Sequence, residues 1–158
     1  MSKKIALFPG SFDPFTKGHE DIVLRGSLLF DEVVIGIGYN SQKQRYFSIE
    51  FMIECIEKTF IAHPKVRVEV FKGLTAVFAE TIGANYLLRG LRNTTDFEYE
   101  NSIAQINRNV NKKLDTVFLI TSPELAYISS SIVRDIHKYD KSVAEYLPYD
   151  IADYVVAH

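Results

Sequence analysis

The chain has 158 residues, of which 47% are hydrophobic, and it carries a formal net charge of −2. This length suits a single domain with a full hydrophobic core, which needs neither disulfides nor a structural metal. The charge lacks the basic excess of a duplex-binding surface, and no apolar run of 18 or more residues marks a membrane span. With one cysteine, Cys55, and no signal segment, the sequence predicts a soluble protein of the reducing cytoplasm.

Short apolar runs rich in β-branched residues alternate with helical patterns along the chain. The predicted strands cover residues 5–8, 33–37, 66–71, 86–88 and 117–120. Strands that alternate with helices form a parallel sheet. The sequence therefore predicts one α/β domain over residues 1–158, a doubly wound, Rossmann-like fold with a five-stranded parallel sheet.

Local signals mark the ends of the helices. Ser48 is the predicted N-cap of the second helix, and Gly83 ends the third. Thr95 and Glu98 form a T-x-x-E capping box ahead of the fourth helix. The second and third helices are expected over residues 49–60 and 74–82. Further helical segments are expected at residues 131–137 and around Ile151, Tyr154 and Val155.

Residues 7–19, with the sequence LFPGSFDPFTKGH, join the first strand to the first helix. The amino end of that helix carries Thr16, Lys17, Gly18 and His19. Free backbone N–H groups and the positive end of the helix dipole favour an anion there, and these side chains add further donors. Considered alone, His19 is more typical of a solvated turn, but its neighbours favour a phosphate site.

Polar residues follow every predicted strand. The carboxyl ends of parallel strands share one edge of the sheet, where ligands bind, so the sequence predicts a site built from five segments. These residues are, in chain order, Ser11, Asp13, Thr16 and His19; Asn40, Ser41, Gln42, Lys43 and Arg45; Lys72, Gly73 and Thr75; Arg89, Gly90, Arg92, Asn93 and Thr94; and Thr121, Ser122, Ser129, Ser130 and Ser131.

Two of these segments carry groups suited to phosphate. Arg89 and Arg92 flank Gly90 at a strand end, where two guanidinium groups can fork onto phosphate oxygens; a surface ion pair is the alternative. Three serines at 129–131 open a helix, with Arg134 one turn later, and ordinary N-capping is the alternative. We expect Arg92, the serine amides and Arg134 to bind phosphate oxygens.

Other motifs carry less information. Gly36 and Gly38 half match a dinucleotide fingerprint, but Ser41 replaces its third glycine and the motif follows the second strand, so this interpretation is rejected. No P-loop motif occurs. Tyr99 and Glu100 lie in the first turns of the fourth helix and can face the site, although Tyr99 is equally suited to the core.

Five short motifs occur in order: P-G-S-F-D-P at 9–14, T-x-G-H at 16–19, L-R-G-L-R at 88–92, D-F-E-Y-E at 96–100 and I-S-S-S-x-x-R at 128–134. Together they resemble the bacterial phosphopantetheine adenylyltransferase family. The second and last motifs are typical of the wider nucleotidyltransferase superfamily, and the third and fourth narrow it. The resemblance implies AMP transfer from ATP to 4′-phosphopantetheine, giving dephospho-coenzyme A and pyrophosphate, with Mg²⁺ and a homohexamer. Coenzyme A is a candidate feedback ligand, and the charge and apolar pattern predict no nucleic-acid or membrane partner.

The same resemblance implies the site residues, with no protein ligand to a metal. The catalytic residues would be Ser11, His19, Lys43 and Arg89, and the acceptor would bind Ser11, Lys43, Thr75 and Arg89. The nucleotide would bind Ser11, Phe12, His19, Gly90, Leu91, Arg92, Glu100, Leu125, Ala126, Tyr127, Ile128, Ser129, Ser130 and Ser131.

The chain departs from the family pattern at four positions. Ser11 replaces threonine but keeps the hydroxyl, and Thr75 replaces a larger apolar residue. Leu125 replaces tryptophan, which weakens the expected adenine contact, and Phe51 replaces a basic residue. Two alternative functions remain open at this point: another adenylyl- or cytidylyltransferase with a different phosphorylated acceptor, and a non-catalytic adenine-nucleotide sensor.

Overall fold

A computed structural model of the chain describes residues 1–152 and 154. Five parallel strands form one sheet in the order β3-β2-β1-β4-β5, which confirms the predicted fold class. The strands are β1 (Ile5–Gly10), β2 (Glu32–Gly38), β3 (Val66–Phe71), β4 (Tyr86–Leu91) and β5 (Asp115–Ile120). The helices are α1 (Lys17–Leu29), α2 (Ile49–Thr59), α3 (Thr75–Thr81), α4 (Thr94–Val110) and α5 (Ser130–Lys138), with 3₁₀ turns at Pro123–Leu125 and Ala144–Tyr146.

Three strands, β1, β2 and β4, extend further toward the carboxyl edge than their apolar runs predict, whereas β3 and β5 end where predicted. Arg89 and Gly90 belong to β4 and pair with Phe118 and Leu119 of β5, so they are not loop residues. Backbone pairing with a neighbouring strand does not require an apolar side chain, which is why polarity alone placed the end of β4 too early.

Two helix predictions are wrong. The N-cap of α4 is Asn93, whose side-chain oxygen accepts a hydrogen bond from Asp96 N at 2.9 Å, so the helix begins before the proposed Thr95 capping box. Asparagine is a strong N-cap and stands two residues upstream. At the other end of the chain, Ile151 and Tyr154 are not helical, and Val155 lies outside the described residues. The Ser48 N-cap is confirmed by its 3.2 Å bond from Phe51 N.

Apolar residues of β1 reach both faces of the sheet. Ala6 and Phe8 belong to the larger hydrophobic cluster, whereas Leu7 joins Val34 in the smaller one. Alternate residues of a strand point to opposite faces, so a strand buried on both faces reads as a continuous apolar run. No helix in the described part of the chain is long and apolar enough to cross a membrane.

The strand order changes direction between β1 and β4. The chain moves outward from β1 to β2 and β3, then returns to place β4 and β5 on the other side of β1. The connections that leave β1 and β4 therefore diverge, and a crevice opens between them at the carboxyl edge.

Candidate active site

A cavity of about 310 Å³ lies in this crevice, and we call it the switch-point cavity. It is bounded by the loop after β1, the end of β4, the start of α4 and the start of α5. Most of the residues predicted for nucleotide binding line it. They are Ser11, Phe12, His19, Gly90, Arg92, Glu100, Leu125, Ile128, Ser129 and Ser130.

His19 is held in one orientation by the start of its own helix. Its Nδ1 accepts a hydrogen bond from the backbone N–H of Thr16 at 2.9 Å, and the Thr16 hydroxyl caps α1. Three phenylalanine rings, those of Phe8, Phe12 and Phe15, surround the imidazole with centroids 5.1 to 6.1 Å away. Because Nδ1 is an acceptor, the proton of the neutral ring is on Nε2, which leaves Nε2–H as its free donor.

The imidazole is kept neutral. Burial, followed by the positive charges of Arg89 and Arg92, lowers the pKa of His19 from 6.5 to about 3. At neutral pH the ring is therefore an uncharged hydrogen-bond donor in the site, and the positive charge beside it comes from Arg89 and Arg92.

Each arginine of the β4 segment is oriented by a carboxylate from α4. Arg89 donates from Nε and Nη2 to Glu100 at 2.8 and 2.5 Å, and its Nη1 donates to Pro9 O. Arg92 donates from Nε and Nη2 to Asp96 at 3.0 and 3.3 Å. Burial alone would raise the pKa of Asp96, but the Arg92 hydrogen bonds and charge outweigh it, so that pKa is lowered. The surface-ion-pair alternative is therefore half right: both arginines are paired, and both still line the cavity.

A second cavity, of about 340 Å³, adjoins the first, and we call it the α4 cavity. Arg89 and Glu100 line both cavities. Thr75, which the family resemblance assigns to acceptor binding, lines the α4 cavity, and so does Tyr99, whose ring is exposed and does not join the core. The two cavities can therefore hold two ligands that meet beside Arg89.

The structure does not bring every predicted residue to these cavities. Leu91, Ala126, Tyr127 and Ser131 are absent from the lining of the switch-point cavity. The exposed Lys43 lies instead beside Ser11 in a neighbouring open basin of about 1070 Å³, the Lys43 basin.

The hydroxyl groups at the start of α5 are engaged within the protein. Ser129 Oγ accepts from Ile132 N at 3.2 Å, so the capping interpretation holds for this serine. Ser130 Oγ donates to Pro14 O at 2.7 Å, and Ser131 Oγ accepts from Arg134 at 3.2 Å. A nucleotide phosphate would therefore meet the backbone N–H groups at this helix start, which have no intrahelical partner.

The sequence places Asp13 and Arg45 at this edge of the sheet but does not predict that they fix the loop after β1. Asp13 accepts hydrogen bonds from two backbone N–H groups beyond β2, and Arg45 donates back to the loop. Arg134, expected to bind phosphate, donates to Asp13 O at 2.6 Å. The only available signal was their position after strands, because a side chain bonded to a distant backbone leaves no spacing pattern.

The Phe51 departure also has a structural explanation. Its ring stacks on Tyr154 with centroids 4.2 Å apart and packs near Phe47 at 6.2 Å. The helix face that carries a basic residue in the family pattern is thus used here for aromatic packing.

The chain has the fold and the site of an α/β nucleotidyltransferase. Its sheet has this strand order, a neutral histidine donor lies at the first βα turn, and two arginines lie across the crevice. A family model described as Cytidylyltransferase-like matches residues 7–136. The chain is 66% identical to the phosphopantetheine adenylyltransferase of Cytophaga hutchinsonii over 148 residues, which cover 94% of this chain and 99% of that protein. It belongs to the phosphopantetheine adenylyltransferase family, and the resemblance of its motifs is confirmed.

A more distant relative and a solved structure agree with this assignment. The phosphopantetheine adenylyltransferase of Lachnoclostridium phytofermentans is 45% identical over 148 residues, covering 94% of this chain and 91% of the relative. A bifunctional NMN adenylyltransferase/ADP ribose pyrophosphatase from Francisella tularensis superposes with a TM-score of 0.68 at 14% identity. The match covers 95% of this chain but only 46% of that structure's chain, so it supports the fold alone.

Proposed function

We propose that the protein transfers AMP from ATP to 4′-phosphopantetheine, giving dephospho-coenzyme A and pyrophosphate. The observation that carries this proposal is the adjoining pair of cavities, with Arg89 lining both and the neutral His19 lining one. The switch-point cavity would take ATP, and the α4 cavity the acceptor. Family membership supports this choice of substrates.

The reaction needs charge neutralisation and alignment more than a general base. The second pKa of a phosphate monoester is about 6, so its oxygen is already nucleophilic at neutral pH. That oxygen would attack the α-phosphorus of ATP in line, form the new P–O bond and displace pyrophosphate without a covalent intermediate. The protein must bring two polyanions together, so preorganised donors and cations are the groups that matter.

Each group in the crevice has a role in this scheme. His19 Nε2–H and the Ser11 hydroxyl would donate to the α-phosphate oxygens as charge grows on them. Arg89 and Lys43 would hold the acceptor phosphate, with Lys43 reaching in from its basin beside Ser11. Arg92 and the amides at the start of α5 would bind the other phosphates.

Mg²⁺ is part of the proposal as an ion carried by the nucleotide. The carboxylates that line the switch-point cavity, Asp96 and Glu100, are each bonded to an arginine. No group of three or more His, Cys, Asp or Glu side chains among the described residues is arranged to hold a metal. This arrangement of carboxylates fits a Mg²⁺ ion that is held by phosphate oxygens and water. The ion would neutralise part of the phosphate charge.

The acceptor is tested by measuring pyrophosphate release from ATP with four candidate acceptors in parallel. We expect rapid release with 4′-phosphopantetheine only, because Arg89 and Lys43 require a terminal phosphate on an arm that fits the α4 cavity. Pantetheine, which lacks the phosphate, is the matched control. Comparable turnover with nicotinamide mononucleotide or glycerol 3-phosphate would favour a different transferase, and ATP binding without release with any acceptor would favour a nucleotide sensor.

We also propose a homohexamer, supported by the surface of α4. Tyr99, Ile103, Ile106 and Val110 recur at helical spacing and are all exposed in the single chain. An apolar stripe of this kind is typical of a surface covered by another protein. Sedimentation velocity at micromolar concentration should give about six times the 18.0 kDa chain mass, and Ile106→Glu should lower it. A wild-type monomer would contradict the proposal.

Two further parts of the proposal concern regulation and location. Coenzyme A carries the same pantetheine arm as the acceptor, so we expect it to occupy the α4 cavity and inhibit the enzyme competitively. The cytoplasm suits the single Cys55, which is buried in α2. We expect no nucleic-acid or membrane partner.

A further inference from the structure

The loop between β1 and α1 is held by side chains from other parts of the chain. Five consecutive backbone carbonyls, those of residues 11–15, each accept a hydrogen bond from a distant side chain. The donors are Arg45 to Ser11 O and Phe12 O, Arg134 to Asp13 O, Ser130 to Pro14 O and Tyr149 to Phe15 O, with lengths of 2.5 to 3.0 Å.

Arg45 bonds to the two loop residues, Ser11 and Phe12, that line the switch-point cavity. Its Nη1 and Nη2 donate to Ser11 O at 2.6 Å and Phe12 O at 3.0 Å, while its Nε donates to Phe47 O at 3.1 Å. All three donor nitrogens of one planar guanidinium are therefore used, and they join the loop after β1 to the loop after β2. Burial lowers the pKa of Arg45, with the nearby Asp13 charge acting in the opposite direction.

The link between the two loops is reciprocal. The Asp13 carboxylate accepts from Tyr46 N at 2.9 Å and from Phe47 N at 2.8 Å. Each loop thus supplies a charged side chain that bonds to the backbone of the other. Charge-assisted bonds of this kind are stronger than neutral ones, so the two loops form one rigid unit.

The loop needs this external support. Phe12 has φ of 46°, in the left-handed region that residues with a Cβ rarely adopt, and such a conformation persists only where the surroundings enforce it. Arg45 donates to Phe12 O and to the carbonyl just before it. Phe12 itself and Ser11 before it line the switch-point cavity, as do Thr16 and His19 further along the loop.

We propose that Arg45 is a positioning residue for AMP transfer. Its guanidinium fixes Ser11 in the switch-point cavity and holds the loop after β2, which carries Lys43, at a fixed distance from Ser11. This inference rests on the proposed function for its kinetic readout. Lys43 is two residues from Arg45, and Ser11 lines both the Lys43 basin and the switch-point cavity, so one guanidinium sets the spacing of two catalytic groups.

The test compares Arg45→Ala with wild type. We expect kcat to fall on the order of 10-fold, because small displacements of positioned groups are costly to rate. Affinity for a non-hydrolysable ATP analogue, measured calorimetrically, should change less than about threefold, since other groups bind the nucleotide. Backbone amides of residues 11–16 should exchange hydrogen faster in the ligand-free variant, a readout that does not depend on turnover.

Chemical rescue separates positioning from general destabilisation. Arg45 lines the open Lys43 basin, so millimolar guanidinium ion can enter the space left by Arg45→Ala and should restore part of kcat, whereas methylammonium should not. Arg45→Lys should be intermediate, because one ammonium group cannot span the same carbonyls. Arg67→Ala is the matched control, since Arg67 pairs with Glu32 on the sheet and lies outside all three cavities.

Several results would overturn the inference. One is a kcat of Arg45→Ala within twofold of wild type together with unchanged hydrogen exchange. Another is a loss of analogue affinity as large as the loss of kcat, which would make Arg45 a direct phosphate ligand. If Arg45→Ala does not fold, Arg45→Lys carries the same comparison. A wild-type protein inactive with 4′-phosphopantetheine would contradict the proposed function, while the exchange measurement would still decide the role of Arg45.

Discussion

Replacing His19 with alanine should lower kcat for AMP transfer on the order of 10²–10³-fold, the typical cost of losing one preorganised donor to a developing oxyanion. The Thr16 N–H bond and the surrounding phenylalanine rings fix the imidazole before substrate arrives. Its Nε2–H therefore needs no reorganisation as charge grows on the α-phosphate. The group stabilises the transition state more than the ground state, so its loss should appear in kcat.

Binding of ATP to His19→Ala should change far less than kcat. Arg92 and the start of α5 line the same cavity and remain in place. Measuring kcat by steady-state kinetics and ATP affinity by calorimetry, on a variant shown to be folded, separates the two effects. Exposed His63, outside the switch-point cavity, supplies the control: His63→Ala should leave kcat unchanged. Near-wild-type kcat in His19→Ala would end the catalytic role, and equal losses of affinity and kcat would make His19 a ground-state ligand.

The same variant tests the protonation state of His19 in the free protein. The folded-state pKa is about 3 and the reference value is 6.5, so between these values the unfolded chain binds a proton that the folded chain does not. The free energy of unfolding should therefore fall as pH drops from about 6.5 toward 3, and be flat for this group above 6.5. Urea titrations should show a shallower decline in His19→Ala; identical slopes would mean the ring is not kept neutral by folding.

The fold could be predicted from the sequence because its causes are local. Continuous apolar runs such as 33–37 identify strands buried on both faces, and capping residues such as Ser48 mark where helices begin. Parallel connectivity then forces the polar residues that follow the strands onto one edge. That edge is enough to find the crevice and to bring His19, Arg89 and Arg92 to it.

The contacts between side chains at that edge could not be predicted, because they join segments far apart in the sequence. Arg45 and Phe12 are 33 residues apart, and Arg134 and Asp13 are 121 apart. Neither pair has a periodic signature. Asn93 illustrates the local form of the same difficulty: it stands two residues before Thr95, and the path of the chain from β4 makes Asn93 the cap instead.

Arg89→Lys should raise KM for 4′-phosphopantetheine about 10–100-fold, the range expected for losing a hydrogen bond between charged groups. KM for ATP should rise much less. Lysine keeps the positive charge but cannot make the planar, two-nitrogen contact with Glu100 that now orients Arg89. Steady-state kinetics with each substrate varied in turn measure both values. An equal rise for both substrates, or a change confined to ATP, would mean that Arg89 does not face the acceptor.

Glu100→Gln tests whether the carboxylate acts through Arg89. Glu100 is 8% exposed and accepts from two nitrogens of the Arg89 guanidinium, and glutamine preserves its shape while offering one acceptor oxygen in place of two. The variant should raise KM for the acceptor in the same direction as Arg89→Lys but by less. Because the two side chains contact each other, the double variant should resemble Arg89→Lys alone, with the single effects clearly non-additive. Additive effects would instead assign Glu100 its own contact with the nucleotide, the role that family resemblance implies for it.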